Sequence, residues 1–300
     1  MEALLRRCSS GHGELLGADA EMTLEAGGKR LRPMLVLLCA GEAGGEAEVR
    51  SAAAIELVHM ATLVHDDVLD RARLRRGKPT VAATSGAARA VAAGDLLFSR
   101  AFALLAEAKA TREIALLASA CVSLARGELA QRSDAYDTSI SAQRYLERCR
   151  LKTASLFECA CLLGYDQRDP GAGEEEMAQF GSRIGLAFQL LDDVLDISGP
   201  PERTGKARGT DLLDGTVTLP LIEAAAADAE IRATDLRSLR AADAEALCER
   251  IAATGALDTV RDRALEMVAD AKRHLERAGI GPEQRRLLNL VADGVVQRYG

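Results

Sequence analysis

The sequence predicts an all-α chain, and three observations support that. Alanine, leucine, glutamate and arginine dominate, tryptophan is absent, and alternating β-branched runs are few. Nothing in the composition marks a boundary along the 300 residues, so residues 1–300 read as one domain with a sizeable core. The formal net charge of -7, with basic residues grouped locally, argues against a nucleic-acid partner. Seven cysteines include no CxxC pair, and no histidine stands at metal-ligand spacing, which suits small buried thiols in a reducing compartment. The start, Met1 to Arg7, is too short in its apolar part for a secretory signal, and no segment has the length of a membrane span. A cytoplasmic protein without stable membrane insertion is expected.

Taken in order, an N-terminal helical segment leads to Glu25-Ala26-Gly27-Gly28-Lys29-Arg30-Leu31-Arg32-Pro33. The two glycines let backbone approach a ligand, and Pro33 permits a fresh helix start at Met34. This cationic turn is either a solvent-facing loop or, if it meets an acidic cluster in space, an anion site. A long helix is expected from Ser51 to Asp70, with Ile55, Val58, Thr62 and Leu69 in its apolar stripe. Its end is Leu63-Val64-His65-Asp66-Asp67-Val68-Leu69-Asp70, which places Asp66 and Asp70 one turn apart on one face with Asp67 beside them. Such carboxylates repel one another unless a cation joins them, and hard oxygen ligands suit magnesium that keeps waters and shares phosphate oxygens. Arginines follow at once, including Arg75 and Arg76, with forked donors for phosphate. His59, two turns before Asp66, shares roughly that face, although a lone histidine there is more often simply packed.

A break at Gly77–Thr80 is followed by Gly94-Asp95, read as opening a helix whose Leu96, Leu97, Phe98 and Phe102 are core. Another apolar helix over 111–132 ends in Gly127-Glu128-Leu129-Ala130-Gln131. The next carries Lys152-Thr153 on an apolar surface, where Lys152 either snorkels outward or serves a buried anion. A helix from Glu174, whose glycines suggest close helix approach, runs into a second cluster, Gln189-Leu190-Leu191-Asp192-Asp193-Val194-Leu195-Asp196. One DDxxD is most simply a solvated helix face. Two copies, each embedded in leucine and valine, point instead to acidic groups at the mouth of an apolar interior. The Gly/Pro-rich stretch 199–211, with Lys206 and Arg208, reads as a lid, and residues 221–300 as scaffold.

The order Gly28-Lys29-x2-Arg32-Pro33, His59-x6-Asp66-Asp67-x2-Asp70-x4-Arg75-Arg76-Gly77, Lys152-Thr153, Phe188-Gln189-x2-Asp192-Asp193-x2-Asp196 resembles the trans-type polyprenyl diphosphate synthases over about residues 25–221. The resemblance implies a bundle of long helices around a central cavity, the isoprenoid synthase fold, usually as a homodimer. It implies magnesium-dependent condensation of isopentenyl diphosphate with an allylic diphosphate, with three magnesium ions per loaded site. Asp66, Asp70 and Asp192 would ligate magnesium directly, supported by Asp67, Asp193 and Asp196. Gly28, Lys29, Arg32, His59 and Arg76 would hold isopentenyl diphosphate. Arg75, Lys152, Gln189 and Lys206 would face the allylic diphosphate, and Thr153 the developing cation, so that Lys152, Thr153, Gln189 and Lys206 serve catalysis.

Two features depart from the family pattern: Gly215-Thr216-Val217-Thr218-Leu219-Pro220 has Thr216 where a lysine is usual, and Arg71 directly follows Asp70. Product length should depend on what lies below the first cluster. Thr62 is one turn deeper than Asp66, roughly 6 Å, with Ala61 beside it and Val58 a further turn down, and none of the three is aromatic. The tail should pass this level to be stopped by Phe98 or Phe102, for a product of about thirty to forty-five carbons, unless Ala61 and Thr62 are small because they pack against a neighbouring helix. The alternatives are a shorter farnesyl or geranylgeranyl diphosphate synthase, a class I terpene cyclase, and a non-catalytic helical subunit of a heteromeric synthase. A cyclase needs no isopentenyl site, and a non-catalytic subunit is free to lose aspartates that this chain keeps.

Overall fold

The computed structural model describes residues 1–165, 172–199 and 208–297. Its chain forms two compact units, Met1–Cys121 with Cys159–Pro170, and Val122–Glu158 with Gly171–Gly300. Among the described residues the fold is helical throughout except for one two-stranded hairpin, so the all-α expectation holds.

In the first unit α1 (Glu2–Ser9), α2 (Glu14–Glu25), α3 (Leu31–Ala40), α4 (Glu46–Leu69), α5 (Val81–Ser85) and α6 (Ala87–Glu107) precede α7 (Thr111–Ser133), whose residues to Cys121 belong here. Helix α4 is the centre, packed along α6 and α3. It starts where Gly45 donates its backbone N–H to the Glu48 carboxylate at 2.6 Å, and its acidic first turn complements the helix dipole. Every residue from Ser51 to Val58 is buried, which corrects the one-sided stripe: Ile55 and Val58 are enclosed, Thr62 is half-buried and Leu69 is exposed. The alanines at 52–54 let neighbouring helices close on all sides, and α4 opens to solvent at its first turn and again toward its C-terminus. Burying Ile55, Leu57 and Val58 contributes about 1.5–3 kcal/mol each.

The helix ends in a Schellman turn. Arg71 donates to the Val68 carbonyl at 3.3 Å and Ala72 to that of Asp67 at 2.9 Å, with Arg71 left-handed at φ 52°. Arg71 therefore occupies the position where glycine is usual, as the cap of α4. Beyond it Leu74–Arg75 pairs antiparallel with Lys78–Pro79, joined by Arg76 and Gly77, both at positive φ, in a type I′ turn. The Gly77–Thr80 break is thus part of a hairpin. Gly94-Asp95 does not open a helix but lies inside α6, because the His65 ring fills the space a side chain at 94 would need: a Cβ there would stand 2.1 Å from His65 Nε2.

The second unit takes the rest of α7, then α8 (Ala142–Cys149), a π-helical turn Arg150–Ala154, the start of α9 (Ser155–Gly164) and α10 (Ala172–Ser198). Helix α10 is its centre, packed along the helix Ala256–Arg277 and against the π-helical turn. Of the seven cysteines six are buried and Cys121 is half-buried. Among the described residues no helix is long and apolar enough to cross a membrane.

Candidate active site

In the first unit the last turns of α4 present Asp66 half-buried, Asp70 exposed and Asp67 buried. The middle residue is anchored: Arg75 Nε, from the hairpin, donates to Asp67 Oδ1 at 2.8 Å. Beside it lies a cleft lined by Arg30, Arg75, Arg76, His59, Glu56 and Asp67, with an apolar wall that includes Met22, Met60, Leu63 and Val81. Arg30 spans three helices, donating from Nε to Glu2 at 2.9 Å and from Nη1 to the buried Glu56 at 2.7 Å. Gly28 passes so close to the hairpin that a Cβ on it would stand 2.8 Å from Arg76 Nη1, and Lys78 Nζ ties the hairpin to the Glu25 carbonyl at 2.6 Å. The cationic turn thus meets the first acidic cluster. Arg30 and Arg76 hold left-handed backbone, φ 49° and 52°, at about 1–2 kcal/mol each for non-glycine residues.

Burial, then the charges of Arg32, Arg76, Arg75 and Arg30, hold His59 well below its ordinary pKa, so the imidazole is neutral. Burial also brings the Arg32 guanidinium down to about 10 against the pull of Glu56, with Arg76 adding to the fall, and it stays charged at neutral pH. A crowd of arginines around a neutral histidine, compensated by few carboxylates, suits a multiply charged anion.

In the second unit Asp192 is exposed, Asp196 half-buried and Asp193 only 2% exposed. Again the middle residue is anchored, here by neutral donors: Tyr145 Oη donates to Asp193 Oδ2 at 2.5 Å and Gln189 Nε2 to Oδ1 at 2.7 Å. Gln189 Oε1 in turn accepts from Thr153 Oγ1 at 2.8 Å. Burial, with the nearby Asp211 and Asp192 carboxylates, pushes Asp193 up to about 8 despite those donors. Asp196 Oδ2 accepts the Asp211 N–H at 3.2 Å.

Thr153 and Lys152 sit in the π-helical turn, a local widening common at functional sites. Two glycines make room for it: a Cβ on Gly127 would meet Lys152 N at 2.5 Å, and one on Gly185 would meet Ala154 Cα at 2.6 Å. The Lys152 ammonium is paired with Glu128 of α7, which also accepts from Arg132 Nε at 2.8 Å. Lys152 therefore has an anion at hand, a carboxylate of its own chain.

Residues four apart on a helix share a face while the one between is rotated about 100°. Hence in both clusters the outer pair, Asp66 with Asp70 and Asp192 with Asp196, shares the more exposed face and the middle aspartate turns inward. Among the described residues no three acidic, cysteine or imidazole side chains form a ready-made metal cage. The donor chemistry still fits a hard cation that keeps waters and takes phosphate oxygens.

Other expected site residues lie as follows. Lys29 is exposed beside the cleft turn, and Lys206 lies outside the described residues, as does most of the expected lid. Arg208 turns to Glu245 and Glu249 at 2.5 and 2.6 Å, and the Thr216 N–H donates to the Asp211 carbonyl at 2.8 Å. Val58 and Ala61 are fully buried, whereas Thr62 is half-buried with Oγ1 donating to the His59 carbonyl at 2.8 Å. Phe98 and Phe102 are half-buried, and Phe98 lies tilted against the His65 ring, centroids 5.7 Å apart. Sequence reasoning missed Glu56, Glu128 and Tyr145. Glu56 alone carried a signal, as the single charge in the run from Ala52 to Val58.

The Polyprenyl synthetase family model matches residues 14–253. The chain belongs to the polyprenyl synthetase family. It is 43% identical over 228 residues to the heptaprenyl diphosphate synthase component 2 of Geobacillus stearothermophilus, covering 74% of this chain and 70% of that one. It is 36% identical over 300 residues to the geranylfarnesyl diphosphate synthase of Aeropyrum pernix, covering 95% and 94%. Among solved structures, the polyprenyl synthase of Caulobacter crescentus complexed with calcium and isoprenyl diphosphate superposes with a TM-score of 0.92 at 37% identity, over 99% of this chain and 93% of that one. The isoprenoid synthase fold expected of a polyprenyl synthetase is the fold observed.

Proposed function

We propose that this polyprenyl synthetase is a magnesium-dependent prenyltransferase that joins isopentenyl diphosphate to an allylic diphosphate. One observation carries the reading: each acidic cluster buries and anchors its middle aspartate while the outer two share a more exposed face, and the first adjoins a cleft of arginines with an apolar wall. Such a cleft suits a diphosphate on a short hydrocarbon. Gly28, Lys29, Arg32, His59 and Arg76 hold isopentenyl diphosphate. Arg75, Lys152 and Lys206 hold the allylic diphosphate, with Thr153 and Gln189 beside its reacting carbon. Asp66, Asp70 and Asp192 hold magnesium, supported by Asp67, Asp193 and Asp196, and a cation there opposes the rise in the proton affinity of Asp193.

Bound magnesium neutralises charge on the leaving diphosphate. Arg75 still has its Nη donors for phosphate, because Asp67 engages its Nε. Lys152 shares or leaves Glu128 to meet the anion. The allylic C–O bond breaks with its electrons going to diphosphate, the isopentenyl double bond attacks the resulting cation, and the proton lost in re-forming a double bond goes to the departing diphosphate.

The family match across 14–253 spans both units and supports reading 1–300 as one functional domain. Free cysteines and the lack of a membrane-spanning helix among the described residues support a cytoplasmic setting. A homodimer is supported by α7, which exposes Val122 and Leu129 seven residues apart on one face. A heteromeric assembly is the second reading, favoured by the name component 2 of the Geobacillus relative. Labelled isopentenyl diphosphate with each allylic primer, with magnesium or with EDTA, tests the reaction and sizes the product. Transfer by the purified chain alone supports the homodimer, and transfer only with an added partner supports the second reading. Lys29→Ala should raise KM for isopentenyl diphosphate more than for the primer.

A further inference from the structure

We propose that Tyr145 is a positioning residue for prenyl transfer, acting through Asp193 and Gln189 to fix the direction in which the Thr153 hydroxyl presents its lone pairs. The proposal rests on the reading above, in which Thr153 stands beside the developing allylic cation.

Tyr145 is held rigidly. It is 1% exposed, its hydroxyl donates to Asp193 Oδ2 at 2.5 Å, and the Arg148 guanidinium lies over its ring, 5.3 Å from the centroid. Arg148, 3% exposed, is itself fixed by donating from Nη2 to the Val217 carbonyl at 2.6 Å. The ring therefore cannot turn away from Asp193 without breaking the contact between α8 and the segment before Thr218.

The direction of the relay follows from what each group can do. Tyr145 Oη donates to one oxygen of Asp193 and Gln189 Nε2 donates to the other at 2.7 Å, so the Gln189 NH₂ faces Asp193. That leaves Gln189 Oε1 facing Thr153 at 2.8 Å, and an amide oxygen can only accept, so the Thr153 hydroxyl must donate to it. Its proton is thereby turned toward Gln189 and its lone pairs are left for an electron-poor carbon. Were the amide reversed, its NH₂ would occupy those lone pairs and the hydroxyl proton would be free to face the cation, which is the wrong sign of dipole. Fixed dipoles aimed at a developing charge are more effective than dipoles that must reorient during reaction.

The test uses the full-length enzyme with magnesium, isopentenyl diphosphate and an allylic primer. Tyr145→Phe keeps the ring and its packing but removes the hydroxyl. Removing a direct electrostatic donor commonly lowers kcat by about a hundredfold or more, and this group acts two hydrogen bonds away, so a fall of about tenfold in kcat per folded molecule is expected, with both KM values within about threefold. Because the relay ends at Thr153, Tyr145→Phe combined with Thr153→Val should be no slower than Thr153→Val alone. Gln189→Glu, which cannot donate to a carboxylate, breaks the relay one link later; it should show the same non-additivity and serves if Tyr145→Phe does not fold. An unchanged kcat in Tyr145→Phe, or losses that multiply in the double variants, would overturn the proposal while the active parent enzyme leaves prenyl transfer standing. A parent enzyme that transfers no prenyl group to any primer would overturn the underlying reading itself.

Discussion

Replacing Gly127 by alanine separates a glycine required by packing from one that merely weakens a helix. Within an unobstructed helix the change from glycine to alanine stabilises by about 1 kcal/mol. At Gly127 the new Cβ would lie 2.5 Å from Lys152 N and 2.8 Å from its Cα. Those atoms belong to the backbone of the π-helical turn and cannot swing aside as a side-chain tip would. Overpacking of this kind costs about 1–3 kcal/mol, and a backbone obstacle favours the upper end, so the net change is a loss of about 1–2 kcal/mol. With an unfolding entropy of about 2.1 cal/mol/K per residue, a chain of 300 residues should lose about 2–3 °C in Tm. Gly294, in the helix Pro282–Gln297, is the control: nothing lies within 4 Å of a Cβ there. Gly294→Ala should therefore raise Tm by about 1.6 °C. Scanning calorimetry of both variants reads the sign directly. Kinetics should follow it, since displacing Lys152 and Thr153 by a fraction of an ångström ought to lower kcat at least about tenfold. If Gly127→Ala proved as stabilising as Gly294→Ala, the close fit of the turn against α7 would be refuted.

The outer and middle aspartates should respond differently to truncation. Asp66→Ala and Asp192→Ala should lower kcat by orders of magnitude with a smaller loss of Tm than their middle neighbours show, because Asp66 is half-buried and Asp192 exposed, and EDTA should do the same to the parent's kcat. Asp193→Ala should also lower stability by about 1–3 kcal/mol in urea titrations, since it strands the buried Tyr145 hydroxyl, and Asp67→Ala should lower it by less, because the Arg75 it releases is half-buried and can turn to water. His59 gives a pH dependence. Its folded-state pKa lies well below 6.5, so as pH falls past 6.5 the unfolded chain takes up the proton first and stability declines, by at most about 1.4 kcal/mol per pH unit. His59→Gln should flatten that decline in denaturant midpoints measured from about pH 6.5 down to 5. Thr62→Phe should shorten the product if the half-buried Thr62 lines the path of the tail. A stable variant with an unchanged product distribution would show that the tail runs elsewhere.

Much of the site was legible because helical spacing is strict. The four-residue interval in each cluster is enough to place two carboxylates on one face, and the pattern around Gly28, Arg32, His59 and Arg76 named residues that do converge in the first unit. What escaped the sequence were decisions made by distant neighbours. Gly94-Asp95 has the composition of a helix start, yet the glycine is there because His65 needs its space. Leu69 continues an apolar stripe on paper, but α4 is enclosed on every side over Ser51–Val58 and has emerged by Leu69. The π-helical turn differs from an ordinary helix by the register of its hydrogen bonds, which leaves no mark in residue type. Lys152, ambiguous between solvent and a buried anion, is met by Glu128, a residue that read as the plain end of a helix.

The two clusters also solve one electrostatic problem in different ways. Three carboxylates on adjacent turns repel one another, and both clusters relieve this by drawing the middle group inward. In the first a cation does it: Arg75 meets Asp67 with charge against charge, and the hairpin that delivers Arg75 also delivers Arg76 to the cleft. In the second the donors are a phenol and an amide, which bring no charge, and burial with Asp211 and Asp192 instead raises the proton affinity of Asp193 to about 8. The Lys152 ammonium is held by Glu128, and position 216 is threonine where the family often has lysine. The first cluster thus meets its middle charge with a fixed guanidinium, whereas the second meets it with raised proton affinity, so a cation bound there would take the place of that proton. On this argument the neutral anchor makes Asp193 the responsive member of the pair, and it ties the geometry of Gln189 and Thr153 to what Asp193 binds.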